Sequence, residues 1–285
     1  MNGIIYYFTG TYNTLKIVEL YIDYFKERSI DLEKCEIKRI METPKDLNYD
    51  YIGLAYPIHA FNSPLLVEEF ARKLPIVDEK PFFIISTCGE PLKLNNSASL
   101  KIEKILKKKG YHLTNEYHYL MPYNIMFRHS DDMAYKMYET NKKLVRMDAK
   151  EIINRESHLY KRGIVPTVVK TVLKIEEPAM RANGILFKVD YDKCIKCMKC
   201  LNNCSASNIS YEDDKFVFHN HCNMCTRCAF SCPTNAISIG LLKHWKVNGA
   251  YSFSKDDHKN HEKDHYLKKT YDKYYKYVDK KIDNE

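Results

Sequence analysis

Two stretches, CIKCMKCLNNC at residues 194–204 and CNMCTRCAFSC at residues 222–232, contain eight of the ten cysteines of this chain. Both have the pattern C-x2-C-x2-C-x3-C, and the second repeats the first at a spacing of 28 residues. Flanking apolar residues repeat in the same register, namely Val189 and Val217 before the runs and Ile209 and Ile237 after them. The chain therefore contains an internal duplication built around two matching cysteine runs.

This cysteine spacing resembles that of bacterial-type ferredoxins, in which each run binds a 4Fe-4S cluster. The first three cysteines of a run can point to one cluster, whereas the fourth has turned away and ligates the other run's cluster. The resemblance implies a first cluster on Cys194, Cys197, Cys200 and Cys232. It implies a second cluster on Cys222, Cys225, Cys228 and Cys204. Pro233 completes the family's C-P ending, while Ser205 replaces that proline after Cys204.

Zinc and disulfides are the competing interpretations of so many cysteines. Zinc modules present two separated pairs of ligands per metal ion, which two runs of three plus one do not match. A disulfide framework is typical of secreted chains, and no secretory signal precedes the first predicted strand. We therefore expect two iron-sulfur clusters and a cytoplasmic protein.

Length and charge limit the remaining possibilities. With 285 residues, the chain has room for a second domain beside a ferredoxin. No apolar run approaches the roughly twenty residues of a membrane helix, so no membrane insertion is expected. The formal charge of +8 falls to about +4 with two ligated clusters and to about +2 with a bound flavin phosphate. This small excess does not support nucleic-acid binding.

Strand-like and helix-like patterns alternate over the first 120 residues. Strands are predicted at 3–8, 35–40, 51–56, 81–87 and 111–120, with Cys35 in the second. Ser63 and Pro64 predict a helix start, and a further helix is predicted at 97–109. The alternation predicts an α/β fold with a doubly wound, parallel, five-stranded sheet. Such sheets bind ligands beyond the carboxyl ends of their strands.

The segment after the first predicted strand reads Thr9, Gly10, Thr11, Tyr12, Asn13 and Thr14. It resembles the phosphate loop of flavodoxins, where hydroxyl groups, amides and backbone N–H groups at a helix N-terminus bind the phosphate of FMN. The loop has neither a Walker A lysine nor a dinucleotide fingerprint. Flavodoxins often have glycine where this chain has Tyr12, and a tyrosine there can narrow the loop. The plainer interpretation of Thr11 and Thr14 is a helix cap.

Two further loops, at residues 56–62 and 87–90, occur where flavodoxins contact the flavin ring. The resemblance implies cofactor contacts from Pro57, Ile58, His59, Ala60, Phe61, Thr87, Cys88 and Gly89. Alternatives remain at three of these positions. His59 is also typical of an ordinary surface residue, Phe61 of a core residue, and Cys88 of a packing cysteine.

We expect four segments in the chain. They are a flavodoxin-like FMN-binding domain at 1–160, a connecting segment at 161–184, a two-cluster ferredoxin domain at 185–242, and a polar, partly helical tail at 243–285. A helical pattern at 131–158 is expected to close the sheet. In the tail, helical spacing of Leu267, Tyr271, Tyr274 and Val278 predicts a helix that packs against the body.

As a whole, the chain resembles ferredoxins with an N-terminal flavodoxin-like domain. This resemblance implies an electron-transfer iron-sulfur flavoprotein that passes electrons between two 4Fe-4S clusters, FMN and other redox proteins. One alternative is an FMN-dependent reductase of a small acceptor, such as a quinone, a nitro compound or dioxygen. Another is a ferredoxin whose flavodoxin-like domain has lost FMN and serves for docking. No convincing acid-base constellation accompanies the loops, so no catalytic residue is assigned and a carrier is favoured.

Overall fold

The computed structural model describes residues 1–162, 176–255 and 268–283. The N-terminal part contains β1 (Asn2–Tyr7), α1 (Asn13–Lys26), β2 (Asp31–Glu36), β3 (Tyr51–Pro57), α2 (Leu65–Lys73), β4 (Lys80–Cys88), a 3-10 turn (Lys93–Ser97), α3 (Leu100–Lys107), β5 (Tyr111–Leu120) and α4 (Asp131–Ile153). The C-terminal part contains α5 (Glu176–Ile185), β6 (Lys188–Val189), α6 (Lys199–Asn202), β7 (Ile209–Glu212), β8 (Lys215–Phe218), α7 (Arg227–Phe230), β9 (Ile237–Ser238), a 3-10 turn (Gly240–Trp245) and α8 (Lys268–Asp283). Parts of the expected connecting segment and tail, including Leu267, lie outside the described residues.

The large sheet is parallel and has the strand order β2-β1-β3-β4-β5. This is the order of flavodoxin-like doubly wound sheets, so the predicted fold class is confirmed. The chain reverses its direction of winding between β1 and β3. The loops after β1, β3 and β4 therefore meet at one edge of the sheet, where such folds bind ligands.

Each face of the sheet is covered by two helices, because side chains alternate along the central strands. One core contains Ile5 and Ile85 with residues of α1 and α4, such as Ile17 and Val145. The other face packs against α2 and α3. Helix α4 thus closes the sheet as predicted, although it ends at Ile153.

Three further differences from the sequence predictions concern β2 and the starts of α2 and α3. Strand β2 begins earlier than predicted, because its register is set by pairing with β1, where Leu32 lies opposite Gly3 and Cys35 opposite Tyr6. Helix α2 is preceded by Pro64 as its cap, since the hydroxyl of Ser63 instead donates to Glu68 at 2.8 Å. The predicted helix at 97–109 is divided into a 3-10 turn and α3.

The cysteine-rich part reproduces the sequence duplication in its structure. Strand β6, before the first run, pairs antiparallel with β9, after the second run, and β7 pairs with β8 between the runs. Helices α6 and α7 occupy equivalent positions in the two runs. The predicted duplication is therefore confirmed as a small α+β unit with interleaved halves.

The tail helix α8 packs against the N-terminal part. Val278 joins the core between α1 and α4, while Tyr271 and Tyr275 pack with Met137 of α4. The ammonium group of Lys281 lies 3.1 Å from the buried carboxylate of Asp148. The predicted packing of this helix on the body is confirmed for its described residues.

Candidate cofactor sites

The cysteines converge in two sets of four. A small cavity is lined by Cys194, Cys197, Cys200 and Cys232, so the last cysteine of the second run joins the first three of the first run. Cys204 interacts electrostatically with Cys222, Cys225 and Cys228. The structure thus brings together the two sets that the family resemblance implies, each with one cysteine from the other run.

Left-handed backbone turns bend each run around its centre. Lys196 and Met198 of the first run have φ of 50° and 59°, and Met224 and Thr226 of the second have φ of 49° and 57°. Such turns expose backbone N–H groups on their inner side. After the runs, the N–H groups of Asn208 and Ala236 donate to the sulfurs of Cys204 at 3.3 Å and Cys232 at 3.2 Å.

The chemistry of these sulfurs fits an iron-sulfur cluster. Burial raises the pKa of Cys200 to about 11 and that of Cys222 to about 12, so a thiolate at either position needs a compensating cation. Iron ions supply that charge on ligation. Among the described residues, no three His, Cys, Asp or Glu side chains are grouped as a site for a single metal ion.

A cavity of about 470 Å³ lies at the carboxyl ends of β1, β3 and β4. Its size is within the range of small-molecule sites. It is lined by these residues of the three predicted loops: Thr9, Gly10, Thr11, Asn13, Thr14, Pro57, Ile58, His59, Ala60, Phe61, Thr87, Cys88 and Gly89. The predicted flavin contacts thus lie around one cavity, with Tyr12 as the exception.

The phosphate loop leaves polar groups for a ligand. The hydroxyl of Thr9 is buried, and it has no hydrogen-bond partner in the described part of the chain. No described side chain caps the start of α1, where the first N–H groups of a helix need acceptors. Thr14 shares a 2.8 Å hydrogen bond with Thr87, which joins this loop to the end of β4. These features fit an anionic group such as the phosphate of FMN.

Tyr12 does not narrow the cavity. Its φ is 70°, the left-handed conformation that glycine adopts most readily, and it directly precedes α1. The side chain is 38% exposed, and its ring lies 5.6 Å from the guanidinium carbon of Arg227. The tyrosine therefore keeps the backbone shape expected for glycine and directs its ring away from the cavity.

The two loops at residues 56–62 and 87–90 contain two groups whose pKa is shifted by burial. Burial lowers the pKa of His59 to about 4, so its imidazole is neutral at pH 7. Burial raises the pKa of Cys88 to about 12, and its thiol donates to the carbonyl of Tyr119. Cys88 thus has the properties of a packing thiol and not of a reactive thiolate.

Acidification should test the environment of His59. Because its pKa falls from 6.5 to about 4 on folding, its contribution to stability is present above pH 6.5 and is lost as the pH falls toward 4. We expect the His59→Gln variant to lose less thermal stability than the wild type between pH 7 and pH 5. Melting temperatures of the flavin-free proteins would show this, and equal losses would contradict it.

Residues from the C-terminal part also line this cavity of about 470 Å³, which the sequence did not indicate. Met224, between two cysteines of the second run, forms part of the wall, and Met180, Leu242 and Trp245 form another part. The amide of Asn124 donates to the carbonyl of Cys225 at 3.2 Å. The second cysteine set therefore lies directly against the cavity.

The tail helix α8 contacts the loop at residues 87–90, which follows β4. The hydroxyl of Tyr271 donates to the carbonyl of Gly89 at 2.8 Å and lies 3.1 Å from a ring nitrogen of His129. Tyr123 donates to the carboxylate of Glu90 at 2.6 Å. These contacts fix the loop after β4 from residues remote in sequence.

None of the helices in the described ranges is long and apolar enough to cross a membrane.

Comparison with known proteins identifies the cysteine-rich part. A family model described as a 4Fe-4S binding domain matches residues 186–209. A ferredoxin of Methanothermococcus thermolithotrophicus is 36% identical over 55 residues, which cover 18% of this chain and 92% of that protein. An uncharacterized ferredoxin of Methanocaldococcus jannaschii is 35% identical over 77 residues, covering 25% of this chain and 90% of that protein.

Two other matches differ in the fraction of each protein that they cover. An archaeal-type glutamate synthase of Dehalococcoides mccartyi is 39% identical over 51 residues, and the chain spans only 10% of that protein. Among solved structures, a flavodoxin of Streptococcus pneumoniae has a TM-score of 0.41 at 12% identity, covering 54% of this chain and 99% of the flavodoxin.

Proposed function

Because the chain belongs to the ferredoxin family, we propose that it is an electron-transfer iron-sulfur flavoprotein with two 4Fe-4S clusters and one FMN. It exchanges electrons with other redox proteins in the cytoplasm. Its flavodoxin-like and ferredoxin domains have boundaries near residues 160, 185 and 242. The observation that carries this proposal is that the second cysteine set adjoins the cavity lined by the predicted flavin loops.

The two cysteine sets differ in their access to solvent. In the first set Cys197 is exposed, and the neighbouring Ile195 is 64% exposed. In the second set Cys225 packs beside the core of the N-terminal part, and Met224 lines the cavity. The first set is thus suited to exchange electrons with a protein partner. The second set is suited to exchange them with a group in the cavity.

The residues around each site would hold the cofactors and set their reduction potentials. When bound, each cluster accepts one electron and FMN accepts one or two. N–H groups of Asn208 and Ala236 that donate to cysteine sulfurs favour the more negative state of a cluster. A shell of Phe187, Phe216 and Phe218 limits water near the cysteines. Since His59 is neutral at pH 7, it adds no charge to the cavity.

A second candidate function is a flavin-dependent reductase of a small, flat acceptor. The observation that favours it is the apolar cover formed by Met180, Leu242 and Trp245 on one side of the cavity. Trp245 is 50% exposed, so it stands at the mouth of the cavity. In a reductase, Trp245→Ala should lower quinone reduction by at least about tenfold, as expected when an aromatic contact to a substrate is removed. In a carrier it should leave quinone reduction unchanged.

Anaerobic purification followed by assays of iron, sulfide and FMN tests the main proposal. We expect about eight irons and about one FMN per chain, with the visible absorption of both groups lost on reduction. Eight irons without FMN, even after FMN is added, would favour a ferredoxin with a docking domain. Zinc in place of iron would overturn the proposal.

A further inference from the structure

The two cysteine runs differ at the residue before their third cysteine. This residue is Lys199 in the first run and Arg227 in the second, and each begins a short helix, α6 or α7. Lys199 is exposed, whereas Arg227 is only 5% exposed. The duplicated unit thus provides two equivalent positions, of which one faces solvent and the other is buried between the two parts of the chain.

The guanidinium group of Arg227 makes hydrogen bonds to both parts. It donates to the carbonyls of Gly10, at 3.0 Å, and Thr9 in the phosphate loop. It also forms a 2.7 Å ion pair with Glu36 at the end of β2. On the other side it donates to the carbonyl of Asn203, at 3.0 Å, beside Cys204. A buried arginine bonded in this way fixes the loop relative to the second cysteine set.

The backbone of the phosphate loop also lies close to the backbone of the second cysteine run, next to Arg227. A side-chain carbon added to Gly10 would lie 2.6 Å from the carbonyl oxygen of Cys225. The loop therefore packs so closely against the cysteine run that only glycine fits at this position. The amide of Asn124, which lines the cavity, donates to the same oxygen. Thr226 donates to the carbonyl of Asn124 at 3.3 Å. The segment 225–227 is therefore a structural support of the phosphate loop.

We propose that Arg227 is a positioning residue that couples FMN binding to the second cluster. This inference rests on the proposed function. The second cluster fixes the run that carries Arg227, and Arg227 fixes the carbonyls of Thr9 and Gly10. The N–H groups and the Thr9 hydroxyl of the same loop are then held ready for the phosphate. Since coupling between two sites is reciprocal, FMN binding must also affect the second cluster.

The matched variants Arg227→Gln and Lys199→Gln test this coupling in the full-length, iron-loaded protein. Each removes one positive charge from the same position of a run. FMN dissociation constants would be measured by quenching of flavin fluorescence, with iron counted in each sample. We expect FMN binding to weaken about ten- to a hundredfold in Arg227→Gln, as when residues supporting a bound group are lost. Lys199→Gln should remain within twofold of the wild type.

The reciprocal effect can be measured in the wild-type protein, so it does not depend on the folding of a variant. Loss of iron from the two clusters to a chelator would be followed by their spectroscopic signals, with and without FMN. The second cluster is identified as the one whose signal is missing in Cys204→Ser. We expect FMN to slow the loss of iron from this cluster and to leave the loss from the first cluster unchanged.

The outcomes separate this inference from the proposed function. FMN binding of equal strength in wild-type and eight-iron Arg227→Gln protein would overturn the coupling while leaving the flavoprotein intact. If Arg227→Gln fails to load iron, equal loss of iron from the second cluster of the wild-type protein with and without FMN would overturn it. If the wild-type protein binds no FMN, the proposed function itself fails.

Discussion

Replacing Cys204 with serine should remove the irons of the second cluster, although Cys204 lies in the first cysteine run. The reason is its position beside Cys222, Cys225 and Cys228. Conversely, Cys232→Ser should remove the irons of the first cluster, because Cys232 lines the cavity of Cys194. Each variant should retain about four of about eight irons.

Iron counts alone cannot distinguish these two variants, but FMN binding can. The second set adjoins the cavity proposed for FMN, so Cys204→Ser should weaken FMN binding while Cys232→Ser should not. Cys222→Ser serves as the reference for loss of the second cluster and Cys194→Ser for loss of the first. A Cys204→Ser protein that resembles Cys194→Ser in its spectra would contradict the crossed arrangement.

Gly184→Ala should have a comparable effect without changing any cysteine. Gly184 lies in α5, and a side-chain carbon added there would be 2.1 Å from the β-carbon of Cys222 and 3.0 Å from its sulfur. No rotation of a side chain relieves a contact this short, so Cys222 must move from its position in the second set. We expect the loss of about four irons per chain and of the spectroscopic signal of the second cluster.

Ala182→Ser is the matched control, because Ala182 is exposed on the same helix. It should retain a full complement of iron and both cluster signals. Iron and sulfide assays with low-temperature spectra of the reduced proteins would show the difference. A Gly184→Ala protein with eight irons and wild-type spectra would show that α5 can shift away from Cys222.

The parallel sheet was predictable because its central strands carry long apolar patterns. Strand β5 begins and ends as predicted, β3 is one residue longer at its end, and β4 is one residue longer at each end. Strand β2 differs more, because four of its six residues are charged and only Leu32 is buried, which leaves a weak apolar pattern. The apolar residues around β2 are compatible with two overlapping strand positions along the sequence. Only the pairing of Leu32 with Gly3 in the sheet shows which of the two positions forms the strand.

The candidate sites were predictable to the extent that spacing along the chain determines them. The cysteine runs and the three loops each have a local pattern, and the structure places the residues of each group around one cavity or in one set. The contact between the two parts has no such pattern, since residues such as Asn124 and Trp245 meet only through the tertiary fold. No separate signal in the sequence pointed to Arg227, because every position between the cysteines differs between the two runs and Lys199, at the equivalent position, carries the same charge.

The packing of α8 has a consequence for the order in which the protein matures during translation. Val278 and Lys281 complete the core and the buried ion pair of the flavodoxin-like part, yet the ribosome adds them after the whole cysteine-rich part. The core of the nascent N-terminal part therefore stays incomplete until α8 has been synthesised. The cysteine runs emerge before that, so iron-sulfur assembly can begin before the cavity at the carboxyl ends of the strands is complete.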